Sequence, residues 1–501
     1  MARFILPAFC LALLAAPSAR AQSSPPATDV IVVDAQAPTT PFPHFWEIMF
    51  GSERAIVTLR EDYRRDLREV KRITGFSYVR FHAIFHDEMG IYDEDAQGAP
   101  VYNFTYVDRV YDGLLANGVR PFIELSFMPS KLAAKDIRQP FFYHPNVSPP
   151  KDWKRWEDLV YRFTQHLVER YGVDEVAKWY FEVWNEPNID FWAGEPKEST
   201  YYELYDRAAA GIKRVSPRLR VGGPATAQAA WADRFIKHCV EKNSPVDFVS
   251  THVYGNDSAK DVFGTNDEIP RTKMVCRAVQ EVHEQIRSSA RPDLPLIWSE
   301  YNASYMNEPD VTDAAFMGPW IADTIRQCDG LTDTMSYWSF SDVFEEQGPP
   351  KLPFYGGFGL LAPGGIPKPA FHAFELLHKL GTQRIPVVSE SALATRRPDG
   401  SLVIAVWNLA LPEESGAPKT LTLQIKGLGG THRVKIYLVG RDHGSPLPAW
   451  TAMGKPPYPT SKQVEMLRKA AALPVPETRP LVNGKVTLTL PPHSLFLLEL
   501  N

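Results

Sequence analysis

The sequence predicts a (β/α)8 TIM barrel with an additional antiparallel β-sandwich domain, on three observations. Short apolar runs alternate with helical patterns from Trp46 onward. Eight such runs recur over roughly three hundred residues, the spacing of a parallel barrel with crossover helices. Beyond residue 370 the pattern changes to alternating strands separated by turn signals.

The barrel runs are 46–50, 78–82, 121–126, 180–184, 219–223, 248–252, 296–300 and 335–339. Amphipathic segments such as 62–74 and 153–171 read as the helices between them. In the tail, 402–408, 421–425, 434–438, 486–490 and 495–500 read as strands, with Pro398-Asp-Gly400 and Asn483-Gly484 as turns. A helical insertion at 461–472 interrupts them. The expected organisation is a signal peptide over 1–21, then a linker over 22–45 whose strand Val30–Asp34 joins the sandwich. The catalytic barrel follows over 46–370 and the sandwich over 371–501.

The N-terminus has the form of an export signal: Arg3, an apolar stretch to Ala16 too short to span a bilayer, and the small-x-small site Ala19-Arg20-Ala21. A secreted or periplasmic protein cleaved near Ala21 is expected, with no membrane association afterwards. The chain has 501 residues, 44% hydrophobic and 23% charged, with a net charge of −5. That balance offers nothing to nucleic acid or an anionic membrane. Twelve Trp suit a protein that stacks rings on sugars, although most belong in a large core. After cleavage Cys239, Cys276 and Cys328 remain; one disulfide or buried free thiols both fit. No spacing matches a metal motif, so neither metal nor cofactor is expected; His82 reads as a sugar contact, and His86 and Asp87 as surface residues. The sequons at Asn103, Asn146, Asn256 and Asn302 read as chance.

Barrel enzymes draw their catalytic groups from the C-terminal ends of strands. Trp184-Asn-Glu-Pro187 closes the fourth run and Ser299-Glu-Tyr301 the seventh, so Glu186 and Glu300 face each other across the mouth. Two carboxylates facing one sugar are what glycosidic cleavage needs. Either tripeptide alone is usually a turn or helix start; together, at strands four and seven, they point to catalysis. Strict alternation puts Arg80 with His82, Glu182 with Trp184 and Glu186, Ser250 with His252 and Tyr254, and Trp298 with Glu300, each set on one face. Arg80 is assigned to hold Glu300 ionised as the nucleophile. Glu186 then stays protonated beside that charge and becomes a base once Glu300 is glycosylated. Asn185 is placed to bond the sugar 2-hydroxyl.

These residues resemble glycoside hydrolase family 39, its β-xylosidase branch, which is related to α-L-iduronidase. The resemblance runs along nearly the whole mature chain. It rests on Arg80-Phe-His82, Glu124 to Pro129, Trp184 to Pro187, Thr251-His-Val-Tyr254, Ser299 to Tyr305 and Tyr337 to Glu346. It implies a retaining mechanism with Glu186 as acid/base and Glu300 as nucleophile. It also implies sugar contacts from His82, Asn185, His252, Tyr254, Trp338 and one of Glu345 and Glu346, with Phe127 lining the pocket. The iduronidase branch needs a cation for its uronate, where this chain has neutral Tyr254 and an acidic pair after strand eight. The expected activity is that of an exo-acting xylan 1,4-β-xylosidase releasing terminal β-D-xylose from xylo-oligosaccharides or aryl xylosides. The competing readings are another glycosidase, a carbohydrate-binding barrel without chemistry, and a structural surface protein. The sequence leaves the oligomeric state open.

Overall fold

A computed structural model describes residues 29–428 and 432–500, so the expected signal peptide lies outside the described residues. Eight parallel strands close into a barrel. They are β1 (Met49–Arg54), β2 (Tyr78–His82), β3 (Arg120–Glu124) and β4 (Tyr180–Glu182), then β5 (Arg220–Thr226), β6 (Phe248–Tyr254), β7 (Leu296–Asn302) and β8 (Thr334–Tyr337). Every one falls within or beside an apolar run of the sequence. A helix follows each strand, from Glu61–Ile73 after β1 to Pro369–Leu377 after β8.

Helix Trp153–Tyr171 shows why the crossovers form. The Asp152 side chain accepts from the Lys154 and Arg155 amides, a cap that stabilises by about 1 kcal/mol. Trp156, Leu159, Val160, Phe163 and Leu167 then form one buried stripe. Gly172, at φ 82°, ends the helix in a conformation that costs a side-chain-bearing residue. Inside the barrel, Met49, Phe122, Phe248 and Ile297 plug the end where the strands begin. That leaves the opposite end to polar side chains.

The sandwich pairs a three-stranded and a seven-stranded sheet. In the small sheet Lys419–Lys426 lies between Lys485–Leu490, antiparallel, and Asp29–Asp34. The N-terminal strand is parallel, the one departure from an otherwise antiparallel domain. The large sheet adds Gln383–Ile385, Ala392–Arg396 and Glu477–Pro480, short strands the sequence reading omits. Its central strands Leu402–Asn408 and Ser494–Leu500 are buried on both faces. Ile404 and Leu498 face the small sheet, while Trp407 and Leu497 pack into the barrel's core. Phe374, on the helix that crosses residue 370, packs against Phe50 and Tyr337, so this helix adds to the barrel core. The insertion forms helix Ser461–Ala471, opened by a Thr460–Gln463 capping box.

Cys276 and Cys328 form a disulfide between two barrel helices, and Cys239 is a buried free thiol. Among the described residues no helix is long and apolar enough to cross a membrane. Asn146 and Asn302 are buried, so their sequons offer no surface to a glycan.

Candidate active site

The site is organised around Arg80, fully buried on β2. Its Nη1 donates to Glu300 at 2.5 Å and its Nε to Glu182 at 2.6 Å. Nη2 donates to Asn185 Oδ1 at 2.9 Å and lies 2.7 Å from Glu124. Arg80 thus meets Glu300 as expected, and the same guanidinium also serves Glu182 and Glu124, three carboxylates in all. Two residues on, His82 Nδ1 sits 2.7 Å from Glu124 and Nε2 3.4 Å from Glu346.

Strict alternation fails at the two places that matter most. Along β6 and β7, Thr251 pairs with Trp298 but His252 pairs with Glu300, so Ser299 is an extra residue in a β-bulge. Trp298 turns outward into the core between barrel and helices. Ser299 and Glu300 both turn inward. Ser299 Oγ donates to Glu182 at 2.6 Å, and Tyr254 donates to Glu300 Oε2 at 2.6 Å. The expected shared face of Trp298 and Glu300 does not exist. Strand β4 ends at Glu182, and Trp184 and Glu186 adopt left-handed backbone at φ 71° and 45°. Such residues cost about 1–3 kcal/mol each and persist where the surroundings fix them. The Trp184 ring turns onto Trp156 and Trp192, leaving Asn185 and Glu186 to border the cavity. Glu182, Trp184 and Glu186 therefore do not share a face either.

Burial, then the neighbouring Glu300, then Asp257, push the Glu186 carboxyl well above its usual range. The negative neighbour is real, but desolvation leads. Burial, with Arg80 and His82 adding to it, pushes His252 well below the usual imidazole value and keeps it neutral. The network sets its tautomer. Ser299 spends its single hydroxyl proton on Glu182, so His252 Nε2, 3.1 Å away, donates to Ser299. Nδ1 then accepts, 3.0 Å from Glu186 Oε1, and protonated Glu186 is the donor. Burial alone would lower His82, but Glu124 overrides it and raises His82 well above the usual value. Burial lifts Glu346 and Asp257 each to about 7.

These groups open onto a cavity of about 390 Å³. Of the residues expected in the site, His82, Asn185, Glu186, Tyr254, Glu300, Trp338 and Glu346 border it. His252 lies directly beneath Glu186, and Arg80 beneath Glu300. Phe127 does not line the cavity; it stands behind it, packed on Trp184 and Phe191. Glu345 turns away to an ion pair with Arg60 and lies 3.5 Å from Arg54, so Glu346 is the one that faces the cavity. His86 is not a surface residue: it is 8% exposed, with its ring against Tyr143. Gln139, Phe141, Gln228, Tyr305 and Gln347 add to the wall from segments that carry no periodic signal. One signal was available: a Cβ on Gly51 would meet the Trp338 ring at 2.0 Å, so the glycine inside β1 marks where that ring lies.

Glu186, His252 and Glu300 each offer a donor atom, all within 4.8 Å of one another. A cation there would compete with Arg80 and with bonds already made. The arrangement suits proton transfer: a protonated carboxyl and a second carboxylate, held by Arg80 and Tyr254, face one cavity.

The relatives agree with that chemistry. The model of "Glycosyl hydrolases family 39" matches residues 29–487. A beta-xylosidase of Geobacillus stearothermophilus is 38% identical over 455 residues, covering 89% of this chain and 90% of that protein. A beta-xylosidase of Caldicellulosiruptor saccharolyticus is 36% identical over 439 residues, covering 86% and 88%. The crystal structure of a monomeric beta-xylosidase from Caulobacter crescentus CB15 superposes with a TM-score of 0.86 at 36% identity, over 95% of this chain and 99% of that one. With the family's model spanning barrel and sandwich alike and a carboxylate pair at the ends of β4 and β7, this chain belongs to glycosyl hydrolases family 39 and is a glycoside hydrolase.

Proposed function

We propose that the chain is a retaining exo-β-xylosidase, with Glu186 as acid/base and Glu300 as nucleophile. The observation that carries this reading is the spacing of the two carboxylates: oxygens of Glu186 and Glu300 lie within 4.8 Å. Retaining enzymes hold their carboxyls about 5–5.5 Å apart, and inverting ones need about 6.5–9.5 Å for a water. In the first step the Glu186 proton passes to the leaving oxygen while Glu300 attacks the anomeric carbon, releasing the aglycone and forming a glycosyl ester. That ester removes the Glu300 charge. Glu186, now a carboxylate, takes a proton from water as the water attacks the anomeric carbon, and Glu300 leaves. Asn185 offers its amide N–H₂ to the 2-hydroxyl, because Arg80 already occupies its carbonyl oxygen.

A neutral pentose suits the cavity. Among the described residues no Lys or Arg borders it, so a uronate carboxylate would meet Glu346 with no such lysine or arginine at the wall to pair with. The Phe142 amide donates to Glu346 O at 2.7 Å, tying the loop before helix Trp153–Tyr171 to the loop after β8 and walling the cavity on that side. The relatives named beta-xylosidase support the same substrate class. The signal-like N-terminus supports export to the periplasm or medium.

Turnover of aryl β-D-xyloside, α-L-arabinoside and α-L-iduronide, with product stereochemistry followed by proton NMR, tests the reading. β-Xyloside should turn over with β-xylose appearing first. Glu300→Gly should abolish turnover, and azide should rescue Glu186→Ala in deglycosylation. Initial release of α-xylose, or no turnover of any β-xyloside, would sink the proposal.

A further inference from the structure

A second cluster lies away from the cavity, where the chain enters β1. His44 Nδ1 is 2.8 Å from Glu47 Oε1, and His378 Nδ1 is 2.9 Å from both Glu47 oxygens. One donor atom from each of the three residues fits within 4.8 Å. The Glu47 side chain is 3% exposed, yet among the described residues no Lys or Arg pairs with it. Among the described residues its side-chain hydrogen-bond partners are the imidazoles of His44 and His378.

We propose that His44, Glu47 and His378 bind a zinc-class divalent cation that locks the joint between barrel and sandwich. Two imidazoles and a carboxylate, with a fourth position open to water, are a donor set such ions take. Bond lengths of about 2.0–2.2 Å space tetrahedral ligands roughly 3.3 Å apart, so each imidazole needs to draw back from Glu47 by only a few tenths of an ångström. His378, with 45% of its side chain exposed, supplies the entry. Ligation through Nδ1 leaves the His44 Nε2–H buried without a partner, which keeps the site weaker than one with full outer support.

The cation would tie three segments together. His44 follows strand Thr40–Pro41, which pairs with Gln383–Ile385, and Phe42 N donates to Thr382 O at 2.8 Å. Glu47 leads into β1, and His378 ends the last barrel helix just before the sandwich. The sequence reading expected no metal because the third donor arrives from 331 residues away, beyond any motif spacing.

The test titrates the chelator-stripped full chain with Zn²⁺ by calorimetry near neutral pH, and follows thermal unfolding and the Co²⁺ ligand-field spectrum. One equivalent should bind in the micromolar range, raise Tm by a few degrees and give a tetrahedral Co²⁺ spectrum. His378→Ala removes a half-exposed side chain and should fold while losing all three responses. Glu300→Gln should keep them. Binding only at millimolar concentration, binding unchanged in His378→Ala, or binding lost in Glu300→Gln would each overturn the proposal, the last by placing the ion in the catalytic cavity.

Discussion

Replacing Glu300 by Gln should lower the proton affinity of Glu186, and the size of the effect follows from the geometry. The two carboxylates offer oxygens within 4.8 Å of each other. At an effective dielectric of about 20, two unit charges at that distance repel by about 3.5 kcal/mol. Glutamine keeps the shape, can still accept from Arg80 and leaves the Tyr254 hydroxyl in place, but carries no charge. The freed guanidinium acts in the same direction, because Arg80 also favours ionised Glu186. Burial, the largest cause of the raised value, is untouched, so Glu186 should remain above an ordinary carboxyl while falling clearly from its wild-type position. Carbon-13 NMR titration of glutamate-labelled protein, with Glu186→Gln identifying the resonance, reads this directly. The same loss of charge accompanies formation of the glycosyl ester, so the variant mimics the intermediate. If Glu186 titrates at the same pH in Glu300→Gln and wild type, the reasoning that couples its acid and base roles to Glu300 fails.

Other consequences can be measured more simply. Burial lifts Glu346 from its ordinary 4.5 to about 7. Its folded-state value is above the unfolded one, so its contribution to stability is full below about 4.5 and is lost as pH rises to about 7, roughly 3 kcal/mol in all. Chemical unfolding of wild type should therefore show stability falling across that window, and Glu346→Gln should flatten the fall; parallel profiles would refute the assignment. Cys276→Ser opens a bond spanning 52 residues and should destabilise the chain by about 4 kcal/mol on the loop-entropy model, read as a lower denaturation midpoint under oxidising conditions. Gly51→Ala drives a Cβ into the Trp338 ring at 2.0 Å and should displace that ring and raise KM for xylosides in initial-rate assays.

The barrel was legible because each strand is an apolar run cut off by polar residues, and eight of them keep the spacing of βα units. Glu186 and Glu300 were legible for the same reason, as polar breaks at the ends of two runs. Their surroundings were less so. The rule that side chains alternate assumes a regular ladder, and the bulge at Ser299 turns Trp298 out and Glu300 in. The rule also assumes that β4 continues to Glu186, but the strand stops at Glu182 and the left-handed turns at Trp184 and Glu186 do the aiming. Sequence gives no sign of a bulge until the pairing is known. Gln139, Gln228 and Gln347 stand in loops or a single short turn of helix, where no period sorts cavity from surface. Glu345 and Glu346 are adjacent and alike, and the positions of Arg60 and Arg54 draw one of them away. In the sandwich, Gln383–Ile385 and Glu477–Pro480 are too short and polar to stand out, and they gain their order from neighbours already in place.

The protonated state of Glu186 also follows from how few cations the described residues gather at this end of the barrel. Five carboxyls, those of Glu124, Glu182, Glu186, Glu300 and Glu346, are gathered near Arg80 and His82. Two cations cannot compensate five buried charges, and an uncompensated buried charge takes up a proton instead. Glu124 touches both cations and is held below its usual range despite its burial. Glu300 receives Arg80 on one oxygen and Tyr254 on the other. Glu182 shares Arg80 and gains the Ser299 hydroxyl, yet burial still raises it. Among the described residues the Glu186 carboxyl bonds only neutral His252, and so takes a proton at the cavity wall. An extra cation near Glu186 would free that proton, and one fewer near Glu300 would remove the nucleophile's partner. The placement of Arg80 at the centre of the strand ends, beneath Glu300 but out of reach of Glu186, is therefore what separates the two carboxyls into different roles.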